Sequence, residues 1–232
     1  MPQPGAPQPG APRPEESQPG APRPDAPRTQ AERTAQARRR LVRAAIRLLA
    51  ERGYTGTTLA EIGREAGLSR GLVTHHFGGK DACIRAAIEE IRTAAHRALY
   101  TDADPALRGL AKVDFLIGAY IDSARAGHPY TRAYYVVMAD SISEAPELRD
   151  VVAHANEVFR DQIRELLQEA VDLGEAPPEA DLRAHAVLLE GLLRGVCLQW
   201  YVDPAGVDLD AAAEAAKSLI RSSLRAGLAT PA

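Results

Sequence analysis

Cysteine is nearly absent: Cys83 and Cys197 stand alone in 232 residues, with no CxxC spacing. Two isolated thiols exclude a disulfide framework and suit a reducing compartment, where each is read as a buried structural thiol before a nucleophile. No run of about 18 apolar residues occurs, which excludes a membrane-spanning helix. The N-terminus lacks the basic start and apolar core of a secretory signal. The expected location is therefore the cytoplasm. Sustained alternation of apolar and polar residues is also missing, so the expected fold class is all-α.

An excess of one charge is missing only on average. The formal net charge is -3, yet residues 28 to 80 carry eleven Arg/Lys against four Asp/Glu, and residues 81 to 232 carry fifteen against twenty-four. A basic head on an acidic body is the footprint of a polyanion-binding module joined to something that does not bind polyanions.

Three units follow from composition and breakers. Residues 1 to 28 repeat "QPGAPRP" and offer nothing large and apolar to bury, which predicts a disordered leader. Residues 29 to 80 form the head, beginning with a helix in which Leu41, Ala45, Leu48 and Leu49 recur at helical spacing before Gly53. Thr58 and Glu61 then fit a capping box for a short helix ending near Glu65, Gly67 supplies a turn, and Ser69 caps a second short helix. Gly63 allows a close crossing of the two. The pattern predicts a helix-turn-helix. Residues 81 to 232 form the body, with helices expected over 81–99, 106–126, 130–140, 147–173, 180–202 and 209–226, about nine helices in all.

The segment "GLSRGLVTHHFGGK" concentrates the chemistry. Metal binding is disfavoured because adjacent His75 and His76 point about 100° apart on a helix, and no second cluster backs them. A phosphate loop would need glycine at Thr74 and Ser or Thr at Asp81. No GxSxG elbow is present, and no motif demands a cofactor. DNA binding accounts for the residues together. A helix starting at Ser69 presents Arg70, Gly71, Thr74 and His75 outward, with Arg70 the candidate for a two-bonded guanine contact. Leu72 either touches a thymine methyl or packs on the first helix. Thr74, His76 and Lys80 suit phosphates, as do Thr57 and Thr58 at the start of the preceding helix.

The run "RGYTGTTLAEIGREAGLSRGLVTHHFGGKDA" resembles the DNA-binding domain of TetR/AcrR-type transcriptional regulators, over about Ala35 to Ala86 and without gaps. Thr74 stands where that family commonly has an aromatic. The resemblance implies a three-helix head, a larger helical body with a small-molecule pocket, and a homodimer formed mainly by the last two helices. Repression of a DNA operator, relieved by an effector, is the expected habit. The stretch "HAVLLEGLLRGVCLQWYVDPAGVDLDAA" is similar to regulators related to the choline-betaine repressor.

In the body, Tyr120, Tyr130, Tyr134, Tyr135, Met138 and Phe115 gather on neighbouring helices, with His154 and Phe159 further on; they either line a ligand cavity or belong to the core. Leu188, Leu189, Leu192, Leu193 and Val196 nearly encircle their helix, and Gly191 and Gly195 permit a close helix partner, so this helix and Leu219 on the last one are the expected dimer interface. The expectation is a homodimeric regulator, not an enzyme, that binds double-stranded DNA and a small molecule. The rival readings are an enzyme or a protein-interaction module built on the body.

Overall fold

The computed structural model describes residues 29–101 and 103–226; the expected leader lies outside them. Among the described residues there are nine α-helices and no strand: α1 (Gln30–Arg52), α2 (Leu59–Ala66), α3 (Arg70–Phe77), α4 (Lys80–His96), α5 (Gly109–Arg125), α6 (Pro129–Asp140), α7 (Arg149–Asp172), α8 (Leu182–Val202) and α9 (Leu209–Ala226).

Local chemistry sets the first boundaries. Thr29 and Glu32 form a reciprocal capping box at the start of α1, and Gly53 ends it at φ 70°, a conformation that side chains resist. Thr58 and Glu61 repeat the box at α2, with Thr58 Oγ1 accepting from Glu61 N at 3.2 Å. Gly67 turns the chain in the left-handed conformation, and Ser69 Oγ accepts from Leu72 N to start α3. A Cβ on Gly63 would lie 2.9 Å from Leu68 O and 3.2 Å from Arg70 N, so only glycine lets α2 pass under the backbone that begins α3.

Other boundaries depend on distant residues. α5 begins at Gly109 rather than near Ala106, because Asp104 Oδ1 accepts from Ala106 N in a turn and Glu175 Oε2 accepts from Leu110 N at 2.7 Å. Pro129 does not precede α6 but opens it, where its missing N–H is harmless. α4 continues as one π-helical turn, Arg97–Thr101, and a 3-10 turn, Pro146–Leu148, leads into α7.

Two apolar clusters result. One joins Leu41, Ile46 and Leu49 of α1, Ile62, Val73, and Ile84 and Ile88 of α4 to Ala133, Val137, Leu148 and Val152, so it passes without a break from the head into α6 and α7. The other gathers Leu116, Ile117, Ile163, Leu167, Leu189, Leu193 and Ile220 from α5, α7, α8 and α9. Polar links reinforce the first. Tyr54 N donates to Asp140 Oδ2 at 2.7 Å, and Arg85 bridges Asp81 to Asp150 and the Glu147 carbonyl.

Candidate functional site

Helix α3 is the least buried of the head. Only Val73 is fully enclosed, and Phe77 rests half-buried against the head's core; Arg70, Gly71, Thr74 and His75 are exposed. Leu72 is half-exposed and is not among the side chains packed on that core, which leaves it on the outer side. Arg70 enters no ion pair among the described residues. A Cβ on Gly71 would meet only Ser69 Oγ at 3.9 Å, so the missing side chain opens space outward, not inward. His76 packs edge-on to His75, 5.6 Å between ring centroids; burial first, then His75 and Arg38, lower its pKa, so it offers a neutral N–H.

The neighbours of α3 need one correction. Thr57, expected among the phosphate contacts, is fully buried: its hydroxyl donates to Gly53 O at 2.7 Å and its amide to Tyr54 O at 3.1 Å. It fixes the α1–α2 turn and has no donor left for DNA. Thr58 is exposed but holds the capping box, and Ser69 is occupied as N-cap. The Lys80 ammonium sits 3.8 Å from the Tyr54 ring centroid, half-buried, so any phosphate contact is made from that seat. The basic face of α1 does structural work that composition did not reveal. Arg40 donates to Ala66 O at 2.6 Å, Arg47 pairs with Glu65 at 2.8 Å and Arg52 with Glu61 at 2.7 Å, fastening α2 to α1.

In the body a cavity of about 460 Å³ opens between α4, α5, α6, α7 and α8. Tyr120, Tyr134, Tyr135 and Phe159 line it, with Tyr130 beside them. Phe115, Met138 and His154 do not. On α7 the cavity face carries Ala155, Phe159 and Gln162 at helical spacing, which turns His154 outward to solvent. Phe115 lies on another side of α5 from Tyr120 and Ser123, and Met138 sits behind the wall, where its sulfur accepts from Arg194 Nη1 at 3.1 Å. Tyr120 and Tyr135 share a hydrogen bond of 3.1 Å; burial pushes the Tyr120 phenol up to about 12 and raises Tyr135 as well, so both stay protonated. Burial likewise pushes Cys83 up to about 12 and Cys197 up to about 11, leaving neither a thiolate at neutral pH.

The charged part of this wall was missed from sequence. Arg194 Nη1 donates to Asn156 Oδ1 at 2.9 Å, which also accepts from the Tyr134 hydroxyl, and the guanidinium lies 5.1 Å from the Tyr134 ring centroid. Buried Glu190 stands between Arg194 at 2.7 Å and Arg160 at 2.9 Å. Spacing shows Glu190 and Arg194 as an i,i+4 pair; only the packing of α7 on α8 shows that the pair is buried.

One face of α8 remains bare. Leu188 is 63% exposed, Leu198 51% and Val202 81%, and with Gly191 and Gly195 they form a stripe at three- and four-residue spacing; Leu219 on α9 is 56% exposed. A Cβ on either glycine would meet nothing within 4 Å. Leu192, by contrast, turns inward and packs half-buried against the body's own core.

Comparison with known proteins fits these parts. The family described as bacterial regulatory proteins, tetR family, matches residues 41–87, and the BetI-type transcriptional repressor C-terminal family matches residues 127–225. The HTH-type transcriptional regulator BetI of Burkholderia thailandensis is 29% identical over 190 residues, covering 79% of this chain and 91% of that protein. A transcriptional regulator from Pseudomonas aeruginosa PAO1 superposes with a TM-score of 0.70 at 25% identity, over 86% of this chain and 97% of its own. A TetR-family regulator from Rhodococcus sp. shares the fold with a TM-score of 0.72 at 20% identity, covering 82% and 99%. These relatives are regulators, not enzymes, and no helix among the described residues is long and apolar enough to cross a membrane. Since the two family descriptions together span more than half of it, the chain belongs to the TetR family of bacterial transcriptional regulators.

Proposed function

We propose that the protein is a cytoplasmic repressor in which residues 29–80 read a palindromic operator as a dimer and residues 81–232 bind the partner subunit and a small-molecule effector that releases the DNA. The observation that carries the DNA reading is the outer face of α3, where Arg70, Gly71, Leu72, Thr74 and His75 project from a helix held on its inner side by Val73 and Phe77. A twofold dimer places two such helices on half-sites about one DNA turn apart, and the bare stripe on α8 is the surface that supplies the twofold contact. An effector that binds one spacing of the two heads better than the other shifts the operator equilibrium.

Selection of bound duplexes from a random library tests this. A palindrome is expected, with affinity falling by about 0.9 log units per phosphate contact for each log unit of salt. Arg70→Ala is expected to lose about 1 to 3 kcal/mol concentrated on one base pair. Failure to enrich any sequence, or indifference to Arg70, overturns sequence-specific reading. Gly71→Ala separates reading from folding: alanine favours the helix by up to about 1 kcal/mol, so the melting temperature rises while operator affinity falls. A variant that melts higher and binds DNA as before would remove Gly71 from the interface.

A further inference from the structure

The arginines of α1 divide into two groups along the helix. Those near its C-terminal end are paired, Arg47 with Glu65 and Arg52 with Glu61. Arg33, Arg38, Arg39 and Arg40, all exposed, enter no ion pair among the described residues. Residues 30–40 also precede the first buried side chain of the helix, Leu41, so about three turns extend past the head's core with only Gln36 and Ala37 half-buried. The one carboxylate of this overhang, Glu32, is held by Thr29 N in the capping box. The other end of α1 is the one fixed to the body, where Tyr54 N donates to Asp140.

The overhang starts beside the reading helix. Arg40 donates to Ala66 O, at the turn just before α3, and the Arg38 guanidinium stands 5.2 Å from the ring centroid of Phe77, at the far end of α3. Arg33, seven residues before Arg40, lies on the same side of α1 and about 10 Å farther out. Helical spacing turns Arg39 to the opposite side.

We propose that this overhang is a second DNA-binding element, which lies along the phosphate backbone at the side of the groove that α3 enters, with Arg33 and Arg38 as its phosphate donors. The proposal rests on the reading of α3 as the helix that enters the groove. A helix about 10–12 Å across fills a major groove about 12 Å wide, so an element packed alongside it meets the groove's wall, which is phosphate. Arginine suits that wall, because its charge is permanent and its planar fork matches two phosphate oxygens. The ring contact of Arg38 occupies a face of the guanidinium and leaves its N–H edge for an anion. Such contacts fix the position of the head on the duplex and carry no base preference.

Arg33→Gln and Arg39→Gln, each made in the full chain, separate a contact from a general attraction. Affinity for the selected operator and for a random-sequence duplex of the same length is measured by fluorescence anisotropy at several salt concentrations. A dimer loses two phosphate contacts per substitution, so Arg33→Gln is expected to lower the salt slope by about 1.8 and to weaken operator binding by about 10- to 100-fold at about 0.1 M salt. The random duplex is expected to weaken as well, and the base preference to stay as it was. Arg38→Gln is expected to act in the same way. Arg39→Gln is expected to change the slope far less, since a charge about a Debye length from the phosphates is largely screened. An unchanged slope and affinity in Arg33→Gln overturns the proposal, and so does an equal loss in Arg39→Gln, which would mean diffuse attraction by net charge. A changed base preference in Arg33→Gln overturns the assignment to phosphate. The Arg33 side chain has no hydrogen bond or ion pair among the described residues, so this variant is expected to melt with the parent. Were no operator selected, the random duplex would decide by the same slope. Arg70→Ala reports separately on α3: if it alters base preference while Arg33→Gln alters nothing, the regulator reading stands and the overhang alone falls.

Discussion

Leu188→Arg is expected to give a folded monomer whose operator affinity is lower by about 10² to 10⁴-fold, the advantage lost when two linked half-site contacts become two independent ones. Leu188 is already 63% exposed in the single chain, so arginine has room there and the chain's own core is untouched. In the dimer proposed above the same position would face the partner across the stripe that includes Gly191, Gly195, Leu198 and Val202, and twofold symmetry would bring two new charges into one apolar seam. Each leucine withdrawn from water contributes about 1.5–3 kcal/mol, and Leu188 counts twice. Light scattering reads the mass and operator titration reads the affinity. Arg70→Ala is the contrast, since it should stay dimeric and lose base preference only. A Leu188→Arg protein that remains a dimer with full affinity would move the subunit interface elsewhere.

Glu190→Leu is expected to destabilise the body by about 3–5 kcal/mol, because it strands Arg194 and deprives Arg160 of its buried partner. Arg160 keeps Glu157 at 2.7 Å, half-exposed, so the larger share of the loss falls on Arg194, whose side chain is 13% exposed. For a chain of this size that corresponds to a drop of about 6–20 °C in the melting temperature at fixed protein concentration. Adding Arg194→Met to Glu190→Leu removes the stranded charge and should recover much of the loss, as apolar replacement of buried ion pairs commonly does. A single Glu190→Leu variant that melts within a degree or two of the parent would mean that water reaches both arginines and that the pair adds little.

What the sequence made legible was local. The capping box of Thr58 and Glu61, the Ser69 cap and the left-handed Gly67 are interactions within three or four residues, and each defines an end of α2 or α3 where expected. Gly63 was also readable, because a helix-turn-helix crossing leaves no space for a side chain there. Distant partners carry no such signature. Nothing near Gly109 announces that Glu175 will cap α5, and nothing in the arginine run of α1 shows that Arg40, Arg47 and Arg52 hold α2. Among the cavity residues, Tyr120, Tyr134, Tyr135 and Phe159 line the space, while His154 misses because one residue along a helix turns the side chain out of the face that Ala155 occupies. Thr57 has a chemistry suited to phosphate and a position that denies it, which only burial reveals.

The apolar cluster that passes unbroken from α1 and α4 into α6 and α7 bears on protein engineering. A reading head is attractive as a transplantable cassette, cut at Lys80 and joined to the sensor of another regulator. Here the underside of that cassette is shaped to Ala133, Val137, Leu148 and Val152, and the loop at Tyr54 is pinned to Asp140. A chimera joined at residue 80 therefore inherits a mismatched seam as well as a new specificity. To swap operators while keeping the sensor, the economical route is to exchange the outer positions of α3 in place and leave the seam to the residues that already fit it.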